Sequence, residues 1–442
     1  MANRSSWCNG LALIALCLCV AARADAGALE AYVRQADSSF AWRSRGTQMF
    51  DVPGIEVTTL ELVSQTWRGG RWTHTLYIAR PGTVRHPATV FLDITHGASH
   101  KHLPAVKRLA ETGGTLVAVL TDVPNQPLYG NRYEDDLIAY TFDQYLRGGD
   151  DSWPLLLPMT KSAVRAMDAI QAWARATHGQ QVERFVVSGA SKRGWTAWLT
   201  GAVDPRVCAI VPTVIDMLNL KAQTQWSQRV YGRQSEKISA YTNIGLIEWL
   251  DRPEGARLQE IVDPFSYRAA LTMPKLLLLG TNDPFWTVDS LRHYWDDLPG
   301  PKIVYQAPNA GHGAGNTEGA ARARAAFLQM IAQGKTPPQM SWRRQNGATD
   351  TLHVEADRRA RDARLWRAHA PTRDFRKAVW KSAPLALDAQ GLRATVPLTA
   401  AAKGFTACMA EFSFSEGGCD FQLSTQVYVS PDLPPPPKDQ TP

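Results

Sequence analysis

An apolar run, Phe185-Val186-Val187-Ser188, leads into Gly189-Ala190-Ser191 and then into Lys192-Arg193-Gly194-Trp195. A strand that turns sharply into a helix through Gly-x-Ser presents its serine on a strained corner, the nucleophile elbow, where other chain segments approach closely and neighbours must be small. Gly189, Ala190 and Gly194 meet that need, although Arg193 stands where the second glycine of the usual motif falls, with Gly194 one place later. A hydroxyl presented there sits at a helix amino terminus, whose dipole favours developing negative charge. The plainer reading of Ser191 is a helix cap.

Serine attacks only when a base takes its proton and an acid orients the base. An apolar run at 275–280 ends in Thr281-Asn282-Asp283-Pro284, and another at 302–306 is followed by Asn309-Ala310-Gly311-His312-Gly313. The chain order Ser191, Asp283, His312, each just past a strand, matches a hydrolase triad on a parallel sheet. Asp289 is the alternative acid. Two oxyanion donors are expected: the backbone N–H of Lys192, next after the nucleophile, and one from the loop Thr95-His96-Gly97-Ala98, with Gly97 the candidate. The Lys192 side chain reads as an exposed lysine at a helix start. Glu134-Asp135-Asp136 reads as a solvated acidic helix start, with an anchor for a substrate amine as the alternative. Trp195, Trp226, Trp286 and Arg233 are candidate substrate contacts suited to a bulky or acidic substrate. His96, His100 and His102 crowd together without a carboxylate or thiolate at ligand spacing, so neither a metal nor another cofactor is expected.

The elements that must position these residues follow from the apolar pattern. Strand-like runs at 55–66 and 72–79 precede runs at 89–94, 116–120, 185–188, 209–214, 275–279 and 302–306, and the later ones alternate with amphipathic helical stretches. That rhythm predicts an α/β fold, an α/β-hydrolase-like, mostly parallel sheet flanked by helices. An aromatic stretch at about 217–267 interrupts it and reads as an insertion over the active-site edge. Beyond 336–338 the chain turns to short strands at 352–356, 364–368, 392–397, 409–414 and 422–429, a small C-terminal β-sandwich-like domain. The expected organisation is a hydrolase domain over 27–335, a β-rich domain over 340–430 and a Pro-rich tail over 431–442.

Arg4, an apolar run at 11–21 and small residues at Ala22, Ala24 and Ala26 form a secretory signal peptide over 1–26, with cleavage near Ala24 or Ala26 and a periplasmic or secreted mature chain. No other segment reads as transmembrane. The formal charge of +7 is scattered and loses Arg4 and Arg23 with the leader, which leaves no basic stripe for nucleic acid but is compatible with contact at a cell-envelope surface. Of six cysteines, Cys208, Cys408 and Cys419 remain in the mature chain, and a bridge between Cys408 and Cys419 is expected in an oxidising compartment.

Several long strings resemble the PhoPQ-activated pathogenicity-related proteins, a family that includes autocrine proliferation repressor proteins. They are Val123-Pro124-Asn125-Gln126-Pro127-Leu128, Glu134-Asp135-Asp136-Leu137-Ile138-Ala139-Tyr140, the run Leu157 through Asp168, Gly189-Ala190-Ser191-Lys192-Arg193-Gly194-Trp195-Thr196, Val203-Asp204-Pro205-Arg206-Val207, Ile215-Asp216-Met217-Leu218-Asn219, Asp263-Pro264-Phe265-Ser266-Tyr267-Arg268 and Pro308-Asn309-Ala310-Gly311-His312. The resemblance spans nearly the whole mature chain. It implies a secreted α/β-hydrolase-like protein linked in bacteria to envelope stress or virulence, and where that family carries a Gly-Gly pair this chain has His96-Gly97. The expected activity is hydrolysis of an ester or amide in a small-molecule or peptide substrate through an acyl-serine. The alternatives are an aminopeptidase-like serine peptidase and a non-catalytic binding or signalling protein that keeps the fold.

Overall fold

The structure, a computed structural model, describes residues 27–48, 54–98, 102–345 and 350–433. The leader, His100 and the end of the Pro-rich tail lie outside the described residues. A nine-stranded sheet is built from β1 (Ala41–Gln48), β2 (Ile55–Trp67), β3 (Gly70–Pro81), β4 (Thr89–Ile94), β5 (Leu116–Leu120), β6 (Arg184–Ala190), β7 (Val207–Thr213), β8 (Lys275–Gly280) and β9 (Lys302–Ala307). Their spatial order is β1-β2-β3-β5-β4-β6-β7-β8-β9. β1, β2, β3 and β5 pair antiparallel in turn, and the ladder from β5 to β9 is parallel.

Strands covered on both faces read as nearly continuous apolar runs, and the parallel ones do, with a few polar residues such as Asp93 and Gln306. Successive side chains point to opposite faces. Leu92, Val187 and Leu277 therefore join one core with α4 (Leu156–His178) and α5 (Lys192–Val203), beside α1 (Ala28–Arg34) and α3 (Glu134–Gly148). Phe91, Val186 and Leu276 join the opposite core with α10 (Glu318–Ala332) and Ala110 of α2 (Leu103–Gly113). Between β7 and β8 the chain detours through α6 (Leu220–Tyr231), α7 (Ser239–Asn243), α8 (Leu246–Trp249) and α9 (Pro253–Val262). This helical insertion is fastened to the main body by Trp195 Nε1, which donates to Val262 O at 2.5 Å.

The C-terminal segment is all antiparallel. β10 (Met340–Gln345), β11 (Thr351–Ala356) and β14 (Arg393–Pro397) form one sheet. β12 (Asp362–Ala370), β13 (Lys381–Pro384), β15 (Phe405–Glu416), β16 (Cys419–Ser424) and β17 (Tyr428–Ser430) form the other. Leu352, Val354 and Val396 from the first and Leu365, Phe412 and Leu423 from the second belong to the same buried cluster as Phe327 of α10, so this unit is continuous with the core beneath the main sheet. The Gln306 amide of β9 donates to Ser424 Oγ at 2.9 Å. Arg373 and Asp289, both buried, close an ion pair at 2.8 Å between the C-terminal unit and the loop after β8.

The expected bridge between Cys408 and Cys419 does not form; both are free thiols, as is Cys208. In the β15–β16 hairpin Cys419 pairs with Glu416, whereas Cys408 faces Arg367 and Tyr428. Eight residues of extended strand between Cys408 and Glu416 amount to about 25 Å, far beyond disulfide reach. Thiol titration of the denatured mature protein without reductant should count three reactive cysteines; a count of one would contradict this register.

Candidate active site

Ser191 sits between β6 and α5 with φ 56° and ψ −126°, a backbone that L-residues rarely adopt. The close approaches that force this corner are visible at the glycines. A Cβ on Gly189 would lie 2.4 Å from Arg193 O, and one on Gly194 would lie 2.7 Å from Ile215 Cγ2. The corner is pinned by the Ser191 amide donating to Thr213 O at 2.8 Å and the Trp195 amide donating to Ser191 O at 3.0 Å. Its side chain makes no capping bond, so the helix-cap reading fails. Ser191 Oγ instead lies 2.9 Å from His312 Nε2.

His312 Nδ1 lies 2.8 Å from Asp283 Oδ2. A carboxylate only accepts, so Nδ1 carries the hydrogen and Nε2 presents a lone pair to the serine hydroxyl. Asp283 is buried, and its other oxygen accepts from the Phe285 amide at 3.0 Å. The Phe285 ring stacks on the imidazole with centroids 4.1 Å apart, which fixes the ring plane. Gly280, at the end of β8, lets the histidine loop close down: a Cβ there would lie 2.4 Å from Ala310 O. Asp289 is not a second acid for His312, because its carboxylate is spent on Trp226 Nε1 at 2.9 Å, Arg373 at 2.8 Å and Arg292 at 3.2 Å.

The loops that carry Asp283 and His312 are braced from the C-terminal unit. Asn282, beside Asp283, donates through Nδ2 to Ala378 O at 2.7 Å and Phe375 O at 3.2 Å. Asn309, in the loop leading to His312, donates to Trp380 O at 3.0 Å and accepts from the Trp380 amide at 2.7 Å. Behind Asp283, Asp216 lines the same small cavity and accepts from Tyr294 OH at 2.6 Å. Burial, with the Tyr294 bond opposing, pushes the Asp216 carboxyl up to about 7.

Glu134 departs most from its expected place. It is no free acidic helix start: its carboxylate takes Arg193 through two nitrogens at 2.6 and 2.5 Å and Lys192 Nζ at 2.7 Å. Lys192 also reaches Asp135 at 3.2 Å and is buried, so the reading of an exposed lysine is overturned and its ammonium points away toward α3. Gln126 and Glu134 exchange two bonds, and Arg193 Nε donates to Val123 O at 2.6 Å. Glu134 thus clamps the first turn of α5, and with it the Lys192 amide, to the loop 123–126. With its charge already matched, it offers little to a substrate amine. Burial by itself would raise the Glu134 carboxyl, but the bonds and charges of Arg193 and Lys192 outweigh it and hold the group well below the usual carboxylate range.

Gly97 lines the cavity that Ala190 and His312 also line, and its amide makes only a long contact, 3.4 Å, to Thr95 Oγ1. Trp286 and Trp195 line an apolar recess under the insertion, with Phe285, Met217 and Tyr241. Trp226 is turned inward, buried on Asp289 with Arg292 4.4 Å from its ring, and Arg233 lies exposed on the turn after α6, so neither is brought to that recess. Among the described residues, no group of three or more His, Cys, Asp or Glu is placed to hold a metal ion.

The fold is that of an α/β-hydrolase-like protein, and Ser191, Asp283 and His312 follow the carboxyl ends of β6, β8 and β9. The PhoPQ-activated pathogenicity-related protein family matches residues 29–376, and the chain belongs to that family. Autocrine proliferation repressor protein A of Dictyostelium discoideum is 34% identical over 350 residues, covering 75% of this chain and 70% of that one. Among solved structures, an acetyl xylan esterase from Paenibacillus sp. R4 superposes with a TM-score of 0.51 at 13% identity over 70% of this chain and 92% of its own, a likeness of fold. Acetyl xylan esterase 1 from Thermoanaerobacterium sp. JW/SL YS485 follows with a TM-score of 0.48 at 15% identity, over 69% and 92% of the two chains.

A carboxylate with a depressed pKa stabilises the fold above the range in which it titrates when unfolded, and loses that contribution as pH falls toward its folded pKa. Glu134→Gln should therefore unfold more easily than wild type at pH 7 by about 1–2 kcal/mol, the half-exposed pair being partly screened. The gap should narrow steadily below about pH 4. Denaturant melts at both pH values measure it; a constant gap would remove Glu134 from the electrostatic clamp.

Proposed function

We propose that this chain is an exported serine hydrolase that cleaves an ester or amide bond through an acyl-serine intermediate. The observation that carries this reading is the unbroken chain from Ser191 Oγ through His312 to buried Asp283, at 2.9 and 2.8 Å, with the serine held in a strained backbone conformation. Ser191 Oγ attacks the carbonyl carbon while its proton passes to His312 Nε2. The oxyanion forms against the Lys192 amide, with Gly97 as the second donor once it turns from Thr95. Collapse expels the alcohol or amine, which takes the proton from His312; water then adds to the acyl carbon, gives a proton to His312, and the acid leaves as Ser191 Oγ is reprotonated. Asp283 stays ionised and stabilises the imidazolium.

Several features support this beyond the triad. The apolar recess under the insertion supplies a contact surface for one side of the substrate. The leader-like first residues support a mature chain that works in the periplasm or outside the cell. Glu134, spent on Arg193 and Lys192, speaks against an exopeptidase that anchors an amine there.

A fluorophosphonate probe should label purified mature protein once, read by intact mass, and labelling should vanish in Ser191→Ala; folded wild type that stays unlabelled would sink the proposal. With a chromogenic ester, Asp283→Asn should lower kcat by about 10³–10⁴-fold. Asp289→Asn should leave kcat near wild type and instead cost about 1–2 kcal/mol of stability, since buried Arg373 loses its nearest carboxylate but keeps Asp432 at 3.6 Å and Pro431 O at 2.9 Å. Equal kinetic losses in the two variants would contradict the assignment of the acid.

A further inference from the structure

A cavity of about 360 Å³ lies beside the elbow, between the main sheet and the helices α2 and α10. Strand register orders its wall by depth. Gly189 pairs with Ile94 near the strand ends, Ser188 with Asp93 one residue lower, and Val186 with Phe91 two lower still. Gly97, Ala190 and His312 belong to the upper wall, and Phe91, Val106, Leu109 and Val117 make the lower wall apolar. A volume of this size is in the range of small-molecule pockets, and Gly97, Ala190 and His312 on its wall place it against the neighbours of Ser191.

Two charged side chains from opposite sides of this apolar space face into it: Asp93 from β4 and Arg324 from α10. Both are surrounded by protein and yet keep accessible surface, which the cavity supplies. Arg324 donates through Nη2 to Gly315 O at 3.3 Å, and its buried Nε has no partner. Asp93 interacts through space with Arg324 and with His102, which lines the cavity as well. The partnerless Nε is closed off from the cavity, but a guanidinium and a carboxylate that line an otherwise apolar wall from opposite sides are an expensive arrangement unless something between them completes their bonding.

We propose that this cavity receives the acyl group of the substrate, and that this acyl group is a medium-length apolar chain ending in an uncharged hydrogen-bonding group of the carboxamide or hydroxyl type. The proposal rests on the acyl-serine reading and adds the substrate class. Such a terminus accepts from Arg324 and donates to Asp93 at once. An anionic terminus would be set against Asp93 and a cationic one against Arg324. A plain alkyl terminus would leave both groups unsatisfied, which is how a site built around hydrogen bonds rejects an analogue that lacks them.

The test compares 4-nitrophenyl esters of acetic, hexanoic and 5-carbamoylpentanoic acids with the monoester of adipic acid. The carbamoyl ester should exceed hexanoate in kcat/KM by about tenfold or more, and adipate should fall below it. Arg324→Met should abolish the advantage while hexanoate is still turned over. Val106→Phe, at a half-buried helix position on the cavity wall, should suppress both long esters and spare acetate. Hexanoate or adipate turned over as well as the carbamoyl ester, or an advantage that survives Arg324→Met, overturns the proposal while leaving the serine hydrolase intact. Adipamide titrated calorimetrically into Ser191→Ala reads the cavity without turnover. Binding that Arg324→Met removes, in a protein whose wild type is neither labelled nor active, would keep the ligand class and discard the acyl-serine route; no binding and no turnover would discard both.

Discussion

One backbone conformation governs the arrangement of this molecule: the positive φ of Ser191 at the junction of β6 and α5. A residue so strained persists only where its surroundings over-determine it, and here they do so from several directions. Gly189 and Gly194 admit the close approaches, Thr213 on β7 takes the serine amide, and Glu134 ties down the two side chains that follow. The position that usually holds a second small residue carries Arg193, and the structure explains why it is tolerated. Its side chain leaves the elbow entirely, running to Glu134 and Val123 O, while Gly194 supplies the small residue where Ile215 presses in.

Much of the main sheet was legible because its strands are buried on both faces and so read as unbroken apolar runs: 89–94 and 116–120 coincide with β4 and β5. That Ser191, Asp283 and His312 meet was legible for the same reason, each following a strand whose end the pattern marks. What escaped the pattern were elements held by something other than apolar burial. β1 is largely exposed and Arg-containing, β10 alternates tryptophan and arginine at an edge, and β13 is a short, mostly exposed strand, so none carries a periodic apolar signal. The role of Glu134 was hidden because an acidic helix start has an ordinary explanation in the helix dipole, and its true partners lie some sixty residues away. Asn282 and Asn309, immediately before and shortly before the acid and the base, carried the available hint: an amide in such a loop has donors and acceptors that need partners.

The two long-range charge clusters differ in what they join. Glu134, Lys192, Arg193 and Asp135 gather the start of α3, the elbow helix and, through Tyr241 OH on Asp135, the helical insertion. Asp289, Arg373, Arg292 and Asp432 gather the loop after β8 and the C-terminal unit. Both sit one step from Ser191 and Asp283. Their effect is on geometry, fixing from outside the loops that bring Ser191, Asp283 and His312 together.

The bonds from Asn282 and Asn309 to the segment 375–380 bear on how this protein can have changed over time. An accessory module joined by a linker can be shed, duplicated or exchanged without disturbing a catalytic scaffold. Here the partners of two scaffold asparagines are backbone groups of the appended sheets, and the family match itself runs through β12 and stops at residue 376, inside that very segment. Exchanging the C-terminal sheets would therefore remove the backbone partners of both asparagines. The two halves are consequently bound to drift together, with substitutions in the 373–380 loop tolerated only as far as the asparagines opposite them allow.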